Sequence, residues 1–379
     1  MKNTVLKSEL KSLLSKPASY YENKIIEANK KFKFDKPVIL FGAAKMGTRF
    51  FDLLKENNVT LLSFCDNDST KVGKNINDRL IISPKTLVKK YPKTTQIIIT
   101  SLYDEEIKNQ LKALGFKNIW SYSYFVTLFS EKFSSLSLTT NIKQIFSNKK
   151  FVTMAFNLLE DDTSKKVFLN ILKYRLTLNK KFLKKIVEKE KNVYFDSDIF
   201  PLSNNEVLLD GGAYNGDTLE LFFKATNNKF SKIYCFEPDV LSFNELKKFV
   251  AKNSKKTLIK CFKYGLGAAK STVYFNNIGA LDSAISDTGK IKISMVPIDQ
   301  YLDEKFSLIK LDIEGYEKEA LLGAKKVIKR DKPKLAICSY HHQNDLWEIP
   351  LLIKKINHKY KLYLRQYDSF LFDTICYGI

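Results

Sequence analysis

The stretch that most constrains the fold is residues 206–239, in which two apolar segments flank a loop and a segment with helical periodicity. The first apolar segment ends at Asp210, and the second ends at Glu237. The loop between them contains three glycines: Gly211, Gly212 and Gly216. This order predicts half of a nucleotide-binding βαβ unit. Glycines let a ligand approach the backbone and the helix N-terminus, and an acid at the second strand end accepts hydrogen bonds from ribose hydroxyls.

The spacing within the loop indicates which ligand it suits. A dinucleotide fingerprint reads G-x-G-x-x-G, because backbone N–H groups and the helix dipole hold a pyrophosphate there. Here Asp210 and Asp217 flank the loop, which disfavours phosphates and suits the ammonium and sulfonium groups of S-adenosylmethionine (SAM). A tight strand-to-helix turn without a ligand is the alternative. The candidate cofactor-binding residues of this stretch are Asp210, Gly211, Gly212, Ala213, Tyr214, Gly216, Asp217, Thr218, Glu237, Pro238 and Asp239.

Two later segments extend the predicted cofactor pocket. Tyr264, Gly265 and Leu266 end the third predicted strand, at the carboxyl edge where open α/β sheets bind ligands. We expect them to bracket the adenine, although an ordinary glycine turn explains them equally well. Asp282 and Ser283 lie in a polar loop and could line the same pocket or form a plain connection.

The second informative stretch is residues 306–328, FSLIKLDIEGYEKEALLGAKKVI. Its apolar segment predicts a buried strand, and Asp312, Glu314 and Glu317 follow the end of that strand. In an extended chain Asp312 and Glu314 point to the same side, so they can serve one site.

A further predicted strand ends in His341 and His342, two of only three histidines in the chain. If it lies parallel to the preceding strand, the histidines join Asp312 and Glu314 at the carboxyl edge. Transfer of a methyl group to a hydroxyl requires alignment of oxygen, methyl and sulfur, and a base for the hydroxyl proton. Histidine titrates near neutral pH and a carboxylate can orient it, so these four residues are the candidate catalytic residues.

The same four residues leave other roles open. Asp312 could contact the methionine amine, or a divalent cation could be held by Asp312, Glu314 and a histidine. Acids that complete a helix dipole, with incidental histidines, are the structural alternative.

Near the N-terminus, a second βαβ pattern begins at Pro37. Gly42 and Gly47 bracket its loop and Asp66 ends its next strand, but Ala44 replaces the middle glycine of a dinucleotide fingerprint. A functional nucleotide site and a degenerate scaffold therefore both remain open. The segment resembles the N-terminal Rossmann-like domains of some bacterial polysaccharide-synthesis proteins.

Composition excludes several other classes of protein. The chain has 379 residues and a formal charge of +22, but the excess is lysine spread along the sequence rather than an arginine-rich cluster, so we expect no nucleic-acid partner. No apolar run reaches the length of a membrane span, and residues 1–20 contain no signal-peptide core, which favours the cytoplasm. The five scattered cysteines favour buried thiols over zinc ligands.

Several motifs together resemble the FkbM-type SAM-dependent methyltransferase family. They are DGGAYNGDT, CFEPD, LIKLDIEGYEKEALLGA, HHQNDLWEIP and LRQYD with DTICYGI, and the resemblance covers residues 194–379. It implies a class I methyltransferase fold, a Rossmann-like α/β domain whose seven-stranded sheet has an antiparallel last strand, and usually O-methylation of sugars or related natural products.

The resemblance also implies roles for individual residues. Asp210, Gly212, Ala213, Gly216 and Asp217 would surround the methionine part of SAM. Glu237 would hold the ribose, and Asp312 and Glu314 would face the reaction centre. Gly211 replaces an aliphatic residue often found there, and the family does not settle which residue is the base.

We therefore expect N-terminal helices at 1–36, a smaller Rossmann-like domain at 37–122, a helical linker region at 123–200 and an FkbM-type domain at 201–379. The expected activity is SAM-dependent O-methylation of a sugar, in a surface glycan or a nucleotide-sugar precursor. Methylation of a small secondary metabolite and a non-catalytic, nucleotide-sugar-binding scaffold are the alternatives. The sequence does not determine the oligomeric state, and a homo-oligomer is one of the states left open.

Overall fold

The computed structural model describes residues 2–129, 141–188, 193–275, 291–301 and 303–379. The chain divides into two units. The larger comprises Met1–Leu13, Asn148–Tyr174 and Asn179–Ile379, and the smaller comprises Leu14–Ser147 and Arg175–Leu178. Within the described residues, no helix combines the length and apolarity needed to cross a membrane.

The smaller unit contains a six-stranded sheet. In chain order, after α1 (Lys2–Ser15), the elements are α2 (Ala18–Asn29), β1 (Val38–Phe41), α3 (Lys45–Glu56), β2 (Leu61–Cys65), β3 (Asn75–Ile76), β4 (Arg79–Ile82), α4 (Pro84–Lys90), β5 (Gln96–Ile99), α5 (Asp104–Ala113), β6 (Asn118–Ser121), α6 (Tyr122–Leu128) and α7 (Ile142–Ser147). The strand order is β3-β4-β2-β1-β5-β6, and only the β3–β4 pairing is antiparallel. The predicted Rossmann-like α/β arrangement is confirmed.

The loop after β1 in the smaller unit is tied down by the acid at the end of β2. The Asp66 carboxylate accepts a hydrogen bond from the Ala43 backbone N–H (2.8 Å) and pairs with the Lys71 ammonium (3.2 Å). Gly42 has φ of +122°, and a Cβ there would lie 2.6 Å from the Thr100 carbonyl oxygen. These contacts account for the glycine and the acid of this motif without a ligand.

The larger unit contains a seven-stranded sheet and a three-stranded one. Its elements are α8 (Lys149–Leu158), α9 (Asp162–Thr177), α10 (Lys181–Lys184), β7 (Val207–Gly211), α11 (Asp217–Ala225), β8 (Lys232–Phe236), α12 (Val240–Ala251), a 3₁₀ turn (Lys256–Leu258), β9 (Ile259–Phe262), β10 (Gly265–Leu266), β11 (Ser271–Phe275), β12 (Ile291–Val296), α13 (Ile298–Tyr301), β13 (Leu308–Leu311), α14 (Glu317–Gly323), α15 (Lys325–Asp331), β14 (Lys334–Cys338), α16 (Asp345–Ile356), β15 (Leu362–Gln366) and β16 (Thr374–Gly378).

The seven-stranded sheet has the order β15-β16-β14-β13-β7-β8-β9. Strands β9, β8, β7, β13 and β14 pair in parallel, and β16 runs antiparallel to both of its neighbours. This is the predicted sheet with its antiparallel last strand, so the predicted fold class is confirmed. The order reverses between β7 and β13, and a crevice at their carboxyl ends is where a doubly wound sheet binds its ligand.

Packing follows from apolar side chains on both faces of this sheet. Leu208 of β7 and Leu308 of β13 are fully buried, as parallel strands covered on both faces require. Leu219 and Phe222, three residues apart on α11, are buried in the same core. Burying each of these side chains contributes roughly 1.5–3 kcal/mol, which fixes α11 and the loop before it against the sheet.

One predicted strand is interrupted. Strand β9 ends at Phe262, and Gly265–Leu266 form β10, which pairs in parallel with β12 in the three-stranded sheet. The prediction that Tyr264, Gly265 and Leu266 end the third strand is therefore wrong. Gly265 pairs with Met295 of β12, and a Cβ at Gly265 would lie 2.4 Å from the Met295 sulfur, so glycine allows this close approach. Asp282 and Ser283 lie outside the described residues.

Candidate functional site

A cavity of about 370 Å³ opens at the carboxyl ends of β7, β8 and β13. Twelve residues singled out from the sequence line it: Gly212, Tyr214, Asp217, Thr218, Glu237, Pro238, Asp239, Tyr264, Gly265, Leu266, Asp312 and Glu314. The sequence analysis missed nine further lining residues: Tyr194, Phe236, Ser242, Ile293, Met295, Lys310, Ile313, Tyr316 and Tyr340. Six predicted residues are not among those lining it: Asp210, Gly211, Ala213, Gly216, His341 and His342.

The glycine loop after β7 packs directly against the end of β13. Gly212 has φ of +75°, and a Cβ at this position would lie 1.8 Å from the Asp312 carbonyl oxygen. Gly216, with φ of +100°, precedes α11, and a Cβ there would lie 2.6 Å from the Phe249 ring. Only glycine fits these two positions, so the loop can pack tightly against the residues that follow β13. This packing brings Asp217 and Asp312 to the same cavity.

Glu237 follows β8 and is held by backbone donors. Its Oε2 accepts from the Tyr214 N–H (2.9 Å) and its Oε1 from the Asp239 N–H (2.8 Å). Asp239 in turn accepts from the Ser242 N–H and so caps α12. Burial outweighs these hydrogen bonds and raises the pKa of Glu237 to about 7. The carboxylate therefore lies at the cavity wall in the place predicted for a ribose-binding acid.

Asp210 and Lys310 form a buried ion pair beneath the glycine loop. Their side chains are 0% and 1% exposed, and the Lys310 ammonium lies 3.0 Å from Asp210 Oδ1. The same ammonium donates to the Gly212 carbonyl oxygen (2.7 Å) and lies 5.1 Å from the centre of the Tyr194 ring. Burial raises the pKa of Asp210 to about 6, although Lys310 opposes the shift. Asp210 thus supports the loop from below.

Asp312 follows β13 and accepts hydrogen bonds from two tyrosines. The Tyr194 hydroxyl donates to Oδ2 (2.8 Å) and the Tyr340 hydroxyl donates to Oδ1 (3.2 Å). Burial alone would raise the pKa of Asp312, but Lys310, His341 and the Tyr194 hydroxyl outweigh it and hold the pKa below its usual value. Asp312 is therefore an ionised carboxylate whose position is fixed from two sides.

His341 lies among carboxylates just behind Asp312. Its Nε2 is 3.5 Å from Asp312 Oδ1 and 3.6 Å from Glu314 Oε2, and its Nδ1 is 3.1 Å from Glu317 Oε1. Burial lowers the pKa of His341, but Glu317, Asp312 and Glu314 outweigh it and raise the pKa to about 10. The imidazole is then charged at neutral pH, which favours an electrostatic role over that of a base.

Glu314 lies in the turn that follows β13, and His342, which follows β14, contacts that turn. The His342 Nε2 lies 3.2 Å from the Gly315 carbonyl oxygen, and its backbone N–H donates to Asp345. Glu314 lines the cavity with φ of +57°, so the turn, and not an extended chain, brings it to the same side as Asp312. His342 therefore braces the turn, while Glu314 faces the cavity.

Some of the lining residues that the sequence analysis missed carry a signal in the sequence, and others do not. Lys310 alternates with Asp312 in an otherwise apolar strand, and this charged residue was a usable signal. Tyr194 precedes Asp312 by 118 residues and reaches the site only through tertiary packing, so nothing in its local sequence marks it.

Possible ligand groups for a metal ion also lie at this site. Asp312, Glu317 and His341 each offer one ligand atom, and these atoms lie within 4.8 Å of one another.

Comparison with known protein families gives one match in each half of the chain. Residues 210–369 match the methyltransferase FkbM domain, and residues 34–119 match the C2185-like N-terminal domain. None of the curated proteins compared with the chain matches it significantly.

The structure is similar to several solved structures. Methyltransferase FkbM from Methylobacillus flagellatus KT has a TM-score of 0.77 and 22% identity, covering 100% of this chain and 99% of that one. A SAM-dependent methyltransferase from Aquifex aeolicus has a TM-score of 0.30 and 14% identity, covering 53% of this chain and 97% of that one. UDP-D-quinovosamine 4-dehydrogenase from Vibrio fischeri has a TM-score of 0.21 and 20% identity, covering 23% of this chain and 76% of that one. The first of these shows a shared fold along the whole chain.

Three observations indicate the same kind of domain. They are the strand order of the seven-stranded sheet, the motifs at its carboxyl edge and the family match. The larger unit of this chain therefore carries a methyltransferase FkbM domain of the class I methyltransferase fold.

Proposed function

We propose that the protein is a SAM-dependent O-methyltransferase that methylates a sugar hydroxyl in a surface glycan or a nucleotide-sugar precursor. One observation carries the proposal. The acid that follows β8, the glycine loop after β7 and the acidic turn after β13 all line a single cavity. A methyl donor and a hydroxyl acceptor can therefore meet there.

The lining of this cavity supports SAM as the cofactor. Each oxygen of Glu237 accepts one backbone N–H and has a further lone pair, with which it would accept a hydrogen bond from a ribose hydroxyl. Leu266, Ile293 and Met295 offer an apolar wall for the adenine. The loop carrying Gly212 leaves space near Asp217 for the methionine portion, whose ammonium suits an acidic neighbour. SAM supplies a good leaving group, so alignment with the acceptor is the main task left to the protein.

Asp312 is the residue we assign to the acceptor hydroxyl. It is ionised, lines the cavity and is held by the Tyr194 and Tyr340 hydroxyls. We infer that the acceptor hydroxyl donates to this carboxylate, which aligns its oxygen with the methyl carbon. The carboxylate would take the proton as the new carbon–oxygen bond forms and the methyl–sulfur bond breaks, which leaves S-adenosylhomocysteine (SAH). His341, charged and behind Asp312, keeps the carboxylate ionised until then.

The chemistry of the cavity wall favours a sugar over an anionic acceptor group. The described lining residues include five carboxylates, whereas the ammonium of Lys310 is already paired with Asp210. The five are Asp217, Glu237, Asp239, Asp312 and Glu314. Sugar hydroxyls donate to carboxylates, and the tyrosines of the wall offer flat faces for sugar C–H groups. These tyrosines are Tyr194, Tyr214, Tyr264, Tyr316 and Tyr340.

The test is incubation of the purified chain with methyl-labelled SAM and pools of nucleotide-sugars, extracted surface glycans or small hydroxylated metabolites. Label transferred to a sugar hydroxyl supports the proposal, and label only in the metabolite pool would point to a secondary-metabolite enzyme. SAM binding without transfer to any pool would point to the scaffold. Asp312→Asn should lower transfer at least about 100-fold if Asp312 is the base, whereas the exposed control Asp303→Asn should leave it unchanged.

A further inference from the structure

Behind the cavity, two neighbouring side chains each carry a buried atom that can bind a proton or a cation and has no hydrogen-bond partner among the described residues. His341 Nδ1 lies 3.1 Å from Glu317 Oε1, yet among the described residues Nδ1 has no hydrogen-bond partner. Glu317 Oε2 is also buried without a hydrogen bond, on a side chain that is 1% exposed. Buried polar atoms in proteins are normally hydrogen-bonded, so two unpaired ones on neighbouring side chains indicate a ligand.

The position of Glu317 is built by the turn after β13. Its Oε1 accepts from the Ile313 N–H (2.8 Å), and α14 begins at this residue. The backbone thus holds one carboxylate oxygen and leaves the other for a different partner. His341 follows β14, which pairs in parallel with β13, so the sheet itself brings the imidazole beside Asp312.

We propose that Asp312, Glu317 and His341 form a divalent-cation site, in which the bound ion displaces the proton of His341 and supplies the positive charge beside Asp312 in its place. Each offers one ligand atom, and the three atoms lie within 4.8 Å of one another. Two carboxylate oxygens and one imidazole nitrogen suit a first-row metal such as Mn²⁺ or Zn²⁺ better than an all-oxygen cation such as Ca²⁺. Three protein ligands leave coordination positions for water or substrate oxygen.

These open positions give the ion a task in acceptor binding, and this step rests on the proposed function. Asp312 and Glu314 line the cavity, so the ion would lie at its acidic end. A cation there can bind two adjacent hydroxyls of a sugar, which would favour acceptors with a vicinal diol over those with an isolated hydroxyl.

Mn²⁺ binding to the full chain tests the site directly and requires no acceptor. The chain is first stripped with a chelator and then titrated with Mn²⁺ while the free ion is followed by electron paramagnetic resonance. We expect one Mn²⁺ per chain. Glu317→Gln should weaken binding more than about tenfold, whereas Glu319→Gln, on the same helix, should bind as the wild type does.

Two further measurements separate loss of the site from loss of the fold. Circular dichroism and SAH binding are measured on each variant, and Asp312→Asn serves as a second ligand variant because Asp312 is partly exposed. If folded wild-type chain that binds SAH takes up no Mn²⁺, a proton on His341 balances the carboxylates and the metal site is refuted. Unchanged Mn²⁺ affinity in folded Glu317→Gln would refute it too. Loss of SAH binding with Mn²⁺ binding intact would instead count against the proposed function.

Discussion

Replacing Lys310 by methionine should destabilise the larger unit more than any exposed lysine does. Methionine keeps much of the apolar volume of lysine but removes the ammonium that lies 3.0 Å from Asp210 and 2.7 Å from the Gly212 carbonyl oxygen. Both partners are buried, so Asp210 would be left as an uncompensated charge. Breaking a buried ion pair in this way costs about 3–5 kcal/mol.

The cost should depend on pH in a defined direction. Burial already raises the pKa of Asp210 to about 6, and removing Lys310 raises it further because Lys310 opposes that shift. In the unfolded chain the pKa returns to its ordinary value near 3.8. Above about pH 6 the wild type folds with Asp210 ionised, whereas the variant must take up a proton to fold. The stability deficit of the variant relative to the wild type should therefore grow from pH 6 to pH 8.

The assay is urea unfolding followed by tryptophan fluorescence. The chain has two tryptophans, Trp120 in the smaller unit and Trp347 in the larger one, so a Trp120→Phe background reports on the larger unit alone. The control is Lys224→Met, since Lys224 pairs with Glu220 at 2.8 Å but is 70% exposed. Exposed pairs of this spacing contribute about 0.3–0.5 kcal/mol.

The double variant Asp210→Asn with Lys310→Met completes the comparison. It removes both charges, so it should be less destabilised than Lys310→Met alone. A loss below about 1 kcal/mol for Lys310→Met at pH 8, or no recovery in the double variant, would refute the assignment of the pair as a structural support of the loop.

Three further predictions concern the cavity. The first concerns Glu237, whose pKa is about 7 and whose ionised form would accept from the ribose hydroxyls. SAH affinity measured by calorimetry should therefore fall about tenfold from pH 8 to pH 6. Glu237→Gln should remove this pH dependence. Gly212→Ala should abolish SAH binding, because the new Cβ would lie 1.8 Å from the Asp312 carbonyl oxygen. The control is Gly267→Ala, whose Cβ would lie 3.5 Å or more from its nearest neighbours, and this variant should bind SAH normally. Tyr194→Phe removes a 2.8 Å hydrogen bond that lowers the pKa of Asp312, so the acid limb of the turnover profile should move to higher pH while SAH affinity stays within about twofold.

Each of these has an outcome that would contradict it. A flat pH dependence in the wild type would mean that Glu237 does not contact the cofactor. Normal SAH binding by Gly212→Ala would place the cofactor elsewhere. An unmoved acid limb in Tyr194→Phe would remove Asp312 from the proton-transfer step.

The sequence predicted the parts of the fold that depend on local patterns and strand order. Apolar segments ending in Asp210, Glu237 and Asp312 became strands whose carboxyl ends meet, because parallel strands in one sheet share that edge. The antiparallel last strand followed from the resemblance to a known family. Glycines at 212 and 216 marked the loop, and their positive φ values show why other residues do not fit.

Features that depend on distant packing could not be predicted in this way. Tyr194 contacts Asp312 across 118 residues, and the change of sheet at Gly265 depends on Met295. The charge of His341 depends on three carboxylates, of which Glu317 was seen in the sequence only as part of a turn. Asp210, named from the sequence as a cofactor-binding residue, does not line the cavity and pairs with Lys310, because strand register places the two residues side by side.

The most direct test of the whole account is calorimetric titration of SAH into the full chain and into Glu237→Ala. We expect one SAH bound per wild-type chain. The affinity of Glu237→Ala for SAH should be markedly lower, because Glu237 would hold the ribose at the cavity wall. A folded wild-type chain that binds no SAH, or equal affinity in the two proteins, would contradict the claim that this cavity holds the methyl donor.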